Sequence, residues 1–253
     1  MRAMLRERRR PAADGMEKLD DPGLPFAEAE RSLQDLDRVN RLLRSALPLK
    51  RTLLPRLGRW DRPRLALDVG TGSGEVARSL AQAAARRGAP LRIVGVDSKL
   101  RHLVIGRRAG NPQHRVVADA TALPFRDGAV EWSFSTLFFH HFDEEENRQV
   151  LAEMARVSRA GAVVIDLRRN RLARWLLVHL GFPLFGASEV TRHDGRVSME
   201  RAWSIPEVRK LVEGFEVAEL RRRFPFRFSL VVEAGKGLQG LQGLQGQAPF
   251  QVR

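Results

Sequence analysis

Three glycines at every second position, Gly70, Gly72 and Gly74, stand between the apolar run Leu65-Ala66-Leu67-Asp68-Val69 and a segment of helical character that starts at Glu75. The order reads as a strand, a tight loop and the first turn of a helix. Glycine is needed where a backbone takes positive φ or must let a ligand approach closely. The helix start then offers unpaired N–H groups to that ligand. A chain with this unit is constrained to hold something small over the loop.

Around this unit the sequence alternates. Strands are expected at Leu65–Val69, Leu91–Val96, Arg115–Ala118, Ala129–Leu137 and Ala162–Leu167. Helices are expected at Glu75–Arg87, Lys99–Arg108 and Asp143–Arg159, the last opened by a run of acids that suits a helix N-terminus. Strands separated by such helices predict a parallel α/β sheet with right-handed crossovers. Ser204-Ile205-Pro206-Glu207 is a capping-box pattern opening a helix to Glu213. Phe215–Leu220 and Phe226–Glu233, joined by the basic turn Arg221-Arg222-Arg223, have no helix between them and should pair antiparallel.

Outside the alternation lie four further segments. Residues 1–25 mix charge, Pro and Gly without a period and read as a frayed leader. Residues 26–64 form a helical cap, in which Leu33, Leu36, Val39, Leu42 and Leu43 recur at helical steps and Pro48 and Pro55 suggest two short helices. Residues 170–202 interrupt the domain of residues 65–234 as an irregular insert, a candidate lid with an apolar helical piece at Leu172–Leu180 and a polar segment at Ser188–Arg201. Residues 235–253 carry a Gly-Leu-Gln triplet repeat and read as a disordered tail.

The formal charge is +14, carried mostly by Arg and spread along the chain. Such a charge admits a nucleic-acid or acidic-membrane partner, though Arg-rich composition is the better explanation of it. The absence of Cys removes disulfides, thiolate metal sites and a thiol nucleophile. No apolar h-region follows the basic N-terminus, and the longest apolar run, Leu172–Gly186, is broken by Arg174 and His179. A cytoplasmic location is expected.

The loop's details narrow its ligand. A dinucleotide fingerprint has the spacing G-x-G-x-x-G; here it is G-x-G-x-G, followed by Glu75, an acid that would repel a pyrophosphate at a helix start. No Gly-Lys-Ser/Thr follows, so this is not a phosphate-cradling Walker loop. Asp68 instead suggests a cationic group. Asp97, ending the second strand, can take the two hydroxyls of a ribose. Asp119, ending the third, can accept from an exocyclic amine. S-adenosylmethionine has those parts and no phosphate.

In these residues the chain resembles the class I S-adenosylmethionine-dependent methyltransferases. Asp68-Val69-Gly70-Thr71-Gly72-Ser73-Gly74 is similar to the family's first motif, Val94-Gly95-Val96-Asp97-Ser98 to the second, and Asp119-Ala120 with Leu123-Pro124-Phe125 to the third. Val130–Phe142, ending in Leu137-Phe138-Phe139-His140-His141-Phe142, is similar to the fourth motif of the quinone-biosynthesis-like, type 11/25-like small-molecule branch. The resemblance implies a Rossmann-like, seven-stranded, mostly parallel sheet with helices on both faces and an antiparallel last strand. It also implies a cofactor site in which Gly70, Gly72 and Gly74 line the methionine end and Asp68 holds the ammonium. In that site Asp97 would hold the ribose and Asp119 the adenine amine, with Thr71, Ser98, Ala120 and Ser135 nearby.

Methyl transfer from a sulfonium needs alignment of donor and acceptor and exclusion of water. A phenol or acidic carbon must also lose a proton, for which His is suited. His140 and His141, at the carboxyl end of the fourth strand, are the first candidates, and on an extended strand only one of them can face the cleft. Asp166 is the next, and His193-Asp194 in the insert follows. No metal ligand set is expected. Trp175, Leu176, Leu177, Phe182 and Phe185 in the insert point to a hydrophobic or aromatic small-molecule acceptor. An RNA acceptor is the alternative, with Arg168, Arg169 and Arg171 as the cations to watch. Against an amino-directed nucleic-acid enzyme, Ser135-Thr136-Leu137-Phe138 stands where Asn/Asp-Pro-Pro-Tyr would be, and the chain has no Tyr. A non-catalytic binding protein would need none of the three ligand-facing acids.

Overall fold

Strand–helix alternation from Arg64 to Leu167 builds five strands of a seven-stranded sheet, seen in a computed structural model that describes residues 9, 16–109, 114–184 and 186–234. The Gly-Leu-Gln triplets, most of the first fifteen residues and Phe185 lie outside the described residues. The strands are β1 (Arg64–Val69), β2 (Leu91–Asp97), β3 (His114–Val117), β4 (Val130–Thr136), β5 (Ser158–Leu167), β6 (Val217–Arg223) and β7 (Arg227–Glu233). Their spatial order is β3-β2-β1-β4-β5-β7-β6. β7 runs antiparallel to both its neighbours, β5 and β6, and the other pairs are parallel. The order reverses between β1 and β4, and the crevice outside the carboxyl ends of strands at such a switch point is where this architecture binds ligands.

The helices are α1 (Phe26–Leu42), α2 (Ala46–Leu53), α3 (Glu75–Ala85), α4 (Leu100–Arg108), α5 (Glu144–Val157), α6 (Arg171–Leu176), α7 (Phe182–Leu184), α8 (Glu189–Arg201) and α9 (Ile205–Leu211). One core packs Val150, Leu151 and Met154 of α5 and Leu211 of α9 on Leu67, Val164 and Leu230 of the sheet. On the other face Leu49 and Leu53 of α2 and Leu80 of α3 meet Ala66, Phe134 and Ile165. Adjacent residues thus face opposite cores, so β1 and β5 read as unbroken apolar runs. Capping boxes open α5 (Asp143 with Glu146) and α9 (Ser204 with Glu207). Each supplies two otherwise unpaired helix-start N–H groups with acceptors.

Several expectations are corrected here. The break between α1 and α2 falls at Arg44, whose φ is +49°, and Pro48 lies within the first turn of α2, where its missing N–H costs nothing. α1 is therefore a long helix, and α2 packs Leu49 and Leu53 on the sheet. Arg221, Arg222 and Arg223 are strand residues of β6; the turn is Phe224-Pro225-Phe226. There Arg223 and Arg56 both pair with Glu219, at 2.6 and 3.0 Å. The polar segment from Ser188 is the helix α8, capped by Ser188. It buries Thr191 and Asp194 together with its apolar side chains, which blurs the apolar period.

The leader also folds farther than expected. Lys18–Asp20 form a 3₁₀ turn with Leu19 buried beside Ala29, Leu33, Ile105 and Val190. Asp194 of α8 accepts the backbone N–H groups of Lys18 and Leu19 at 2.7 and 2.9 Å. The Arg101 guanidinium donates to the carbonyls of Leu19 and Asp21 at 2.5 and 2.7 Å. Residues 17–24 thus form a strap held from α8 and α4. No described helix is long and apolar enough to cross a membrane.

Helix α4 leans directly on the glycine loop. A Cβ on Gly106 would lie 2.3 Å from the Ser73 carbonyl oxygen. Because that obstacle is backbone, Gly106→Ala is expected to cost about 1–3 kcal/mol, read as a lower denaturant midpoint at unchanged slope.

Candidate active site

A cavity of about 510 Å³, within the range of small-molecule sites, opens over the carboxyl ends of β1, β2 and β4. Its wall is shared by the glycine loop, α1, the strap, the β4 end and α8. Eight carboxylates line it against two permanent cations, Lys99 and Arg227.

At the loop, Gly70 takes φ +73° and lies so close beneath the Phe138 ring that a Cβ would meet it at 2.3 Å. Gly72, at φ +54°, has open space where its Cβ would be, so its backbone is free for a ligand to approach. Asp68 is buried and accepts from the Thr71 hydroxyl at 2.7 Å. Burial pushes its carboxyl up to about 7, with Asp97 adding to the rise and the Thr71 hydrogen bond opposing it. Asp37 of α1 accepts from Ser73 Oγ at 2.6 Å and is pushed up to about 6, chiefly by burial and further by Glu75. Arg41 and Arg78 partly offset this at Asp37, whereas no cation acts on Asp68 among the described residues. An ammonium or sulfonium suits that buried acid, and a phosphate does not.

Asp97 is anchored differently. Its Oδ2 accepts the Gly72 N–H at 3.0 Å, and its Oδ1 accepts the Lys99 N–H at 2.9 Å. Burial alone would raise its pKa, but His102, 3.4 Å away, and the two N–H groups hold it below the usual range. Asp97 therefore shapes the loop as well as facing the cavity. Asp97→Ala is expected to weaken S-adenosylmethionine binding by at least about tenfold and to cost about 1–3 kcal/mol of stability, because two backbone donors lose their acceptor. Calorimetric titration and denaturant melts check the two effects separately; unchanged affinity would move the ribose site elsewhere.

The remaining cofactor candidates divide. Thr71 and Ser98 line the cavity. Gly74 caps α3 at φ +80° and does not line it. Asp119 is exposed and off the wall, because β3 ends at Val117 and the carboxylate folds back on Thr121, accepting from its N–H and hydroxyl at 2.8 Å each. Ala120 packs into the core instead, and Ser135 is buried off the cavity wall with its hydroxyl unpartnered. The adenine assignment to Asp119 thus lacks a cavity contact.

At the other end stand the histidines. β4 stops at Thr136; Leu137, at φ +57°, turns the chain into a 3₁₀ turn, Phe139–His141. That conformation costs a non-glycine residue about 1 kcal/mol. In a turn, unlike a strand, neighbouring side chains need not oppose, and both His140 and His141 line the cavity. The turn is held from β5: Asp166 Oδ2 accepts the Phe138 and His140 N–H groups at 3.1 Å each, and Oδ1 accepts Leu167 N–H at 2.5 Å and His140 Nδ1 at 2.8 Å. Burial would raise the Asp166 pKa, but His140 and these donors depress it. His141 lies 3.4 Å from Asp20 and 3.9 Å from Glu17. Burial opposes its protonation, yet the carboxylates of Glu17, Asp20 and Asp166 lift it to about 9.

Sequence reasoning missed Asp37, Glu17 and Asp20. Asp37 is one acid among several on an amphipathic helix, and the others lie in a segment with no period; no local pattern marks them. Asp194 lines the cavity, but its carboxylate is taken by the strap. Trp175 is exposed, whereas Leu177 and Phe182 face the cavity.

The fold is one shared by S-adenosylmethionine-dependent methyltransferases of known structure. Residues 67–165, from β1 to β5, match the family described as "Methyltransferase domain". The chain is 34% identical over 139 residues to the demethylmenaquinone methyltransferase of Thermotoga maritima, covering 54% of this chain and 58% of that protein. To the enzyme of the same name from Thermus thermophilus it is 34% identical over 136 residues, covering 52% and 59%. The chain thus spans under three-fifths of the length of these relatives. The crystal structure of a SAM-dependent methyltransferase from Aquifex aeolicus superimposes with a TM-score of 0.57 at 18% identity, over 84% of this chain and all of that one, and shares its fold.

Proposed function

We propose that this protein transfers a methyl group from S-adenosylmethionine to an ionisable oxygen or carbon of a hydrophobic or aromatic small molecule. One observation carries the reading: a single cavity joins the acid-lined glycine loop to the His140–Asp166 pair. When bound, S-adenosylmethionine supplies a methyl group already activated on sulfur. The protein's tasks are to hold the cation, align the acceptor, exclude water and take a proton. Alignment and exclusion can contribute roughly 7–11 kcal/mol.

Asp68, Asp37 and Glu75 suit the cationic end and Asp97 the ribose. Phe138, Phe142, Leu177 and Phe182 give the acceptor end an apolar wall. His140 is the proton acceptor of choice over His141. Asp166 fixes its Nδ1–H, leaving Nε2 to the cavity, and Asp166 with Glu17 stabilises the imidazolium once the proton arrives. His141, charged at neutral pH, serves better as a fixed cation beside a developing oxyanion. The relatives' name, demethylmenaquinone methyltransferase, supports a quinone-related acceptor; its reduced quinol form shares an acidic hydroxyl with phenols.

The acid lining weighs against an RNA acceptor, whose phosphates it would repel. Neither Arg168, Arg169 nor Arg171 lines the cavity, and Arg169 is paired with Glu207 at 2.6 Å. Calorimetric titration with S-adenosylmethionine tests the donor; no heat at millimolar ligand would sink the reading. Labelled-methyl transfer to a panel of phenols, hydroxynaphthoquinols and bulk RNA tests the acceptor. Label on an aromatic hydroxyl or ring carbon is expected, and label on RNA alone would reverse the assignment.

A further inference from the structure

We propose that Glu17, His140 and His141 form a binding site for a first-row divalent cation on the acceptor wall of the cavity. Glu17 Oε1 lies 3.8 Å from His140 Nε2, and Glu17 Oε2 lies 3.9 Å from His141 Nε2. One ligand atom from each residue lies within 4.8 Å of the other two. The Glu17–His contacts are too long for hydrogen bonds, so three ligating groups converge without bonding one another. Around a cation at about 2.0–2.2 Å from each, such atoms would stand roughly 3–3.5 Å apart. Bringing separations of at most 4.8 Å to that span takes a closure of no more than about 1–2 Å.

The outer contacts strengthen the case. A metal-bound imidazole commonly gives its second nitrogen to a carboxylate, which fixes the ring and raises its basicity. Here both rings are so arranged: His140 Nδ1 on Asp166 at 2.8 Å, and His141 Nδ1 3.4 Å from Asp20. Glu17 is oriented by Ser198 Oγ, which donates to its Oε1 at 2.7 Å. Glu17 and His140 are buried, and the two rings lie 4.4 Å apart and 32° from parallel, with their Nε2 atoms both toward the carboxylate. Two imidazoles and one carboxylate select zinc, iron(II) or cobalt(II) rather than magnesium or calcium.

All three residues line the cavity, so positions left open by the protein face the acceptor. In the cation-free protein His140 is the base. With the cation bound, an acceptor oxygen can complete its shell and lose its proton to solvent, so that coordination replaces the ring in ionising the acceptor. That role rests on the methyl-transfer reading; the binding itself does not.

The test uses the untagged full chain, stripped with a chelator and titrated with cobalt(II), with visible absorbance and calorimetry as readouts. One equivalent is expected to bind in the micromolar range with a visible band, displaced by zinc and not by magnesium. Glu17→Gln should abolish the band, and Asp20→Asn should weaken binding by about 10- to 100-fold. Circular dichroism shows that each variant is folded. If Glu17→Gln is not, Asp20→Asn and His141→Asn carry the comparison. No saturable one-to-one binding, or binding unchanged in the folded variants, overturns the site. A wild-type chain that binds cobalt but no S-adenosylmethionine keeps the site and discards the methyltransferase reading.

Discussion

His140→Gln is expected to lower methyl transfer by about 10²–10⁴-fold, the span ordinarily removed with a general base. Measured in chelator-treated protein with saturating donor, the loss reports on the ring alone. Affinity for S-adenosylmethionine should stay within a few-fold, because the loop and its acids are untouched. The distinction matters because Asp166 cannot be probed as cleanly. Both its oxygens accept from N–H groups, four donors in all. An Asn there would set its own NH₂ against two of them and cost several kcal/mol of stability. Full turnover in His140→Gln would remove the base assignment.

The second large effect is expected at Asp68. Its folded pKa, about 7, stands above the ordinary carboxylate value near 4. The sign follows: the folded state holds the proton more tightly, so this stability is complete below pH 4 and is lost as pH rises through 7. Without ligand, Asp68→Asn should therefore be more stable than the parent at pH 8, by up to about 4 kcal/mol, and nearly equal to it at pH 4. Cation binding runs the other way. The parent's affinity for S-adenosylmethionine should rise between pH 6 and 8 as Asp68 and Asp37 ionise, and Asp68→Asn should bind at least about tenfold more weakly throughout. Thermal melts with and without ligand across this pH range check both signs. A variant that binds as well as the parent would show that the negative charge is not what holds the donor.

The two positions also mark what local sequence could disclose. Asp68 was legible because strand, acid and alternating glycines are consecutive, and β1 and α3 follow from that stretch alone. The alternation beyond it predicted the parallel sheet, and the missing helix after Phe215 predicted the antiparallel strand. What local pattern could not reach was the wall opposite the loop. α8 buries Thr191 and Asp194 to grip the strap and Asp35, at 3.2 Å from Thr191 Oγ1. Its polar face is therefore turned inward, and its apolar period disappears. Glu17 and Asp20 are held by partners distant in the chain, Lys99, His140, His141 and Ser198. Asp119 lies off the cavity wall for the opposite reason: a strand end and a motif suggested a role, but a short Asx turn takes up its carboxylate locally.

The strap has a kinetic meaning. Its clasps, Asp194 and Arg101, belong to the body of the protein, while its inner side supplies the Glu17 and Asp20 walls of the chamber. A few hydrogen bonds at residues 17–24 therefore hold both a wall of the chamber and two of its acids in place. Loosening a clasp, for instance by removing the Arg101 guanidinium, is expected to speed ligand release, read as a faster off-rate.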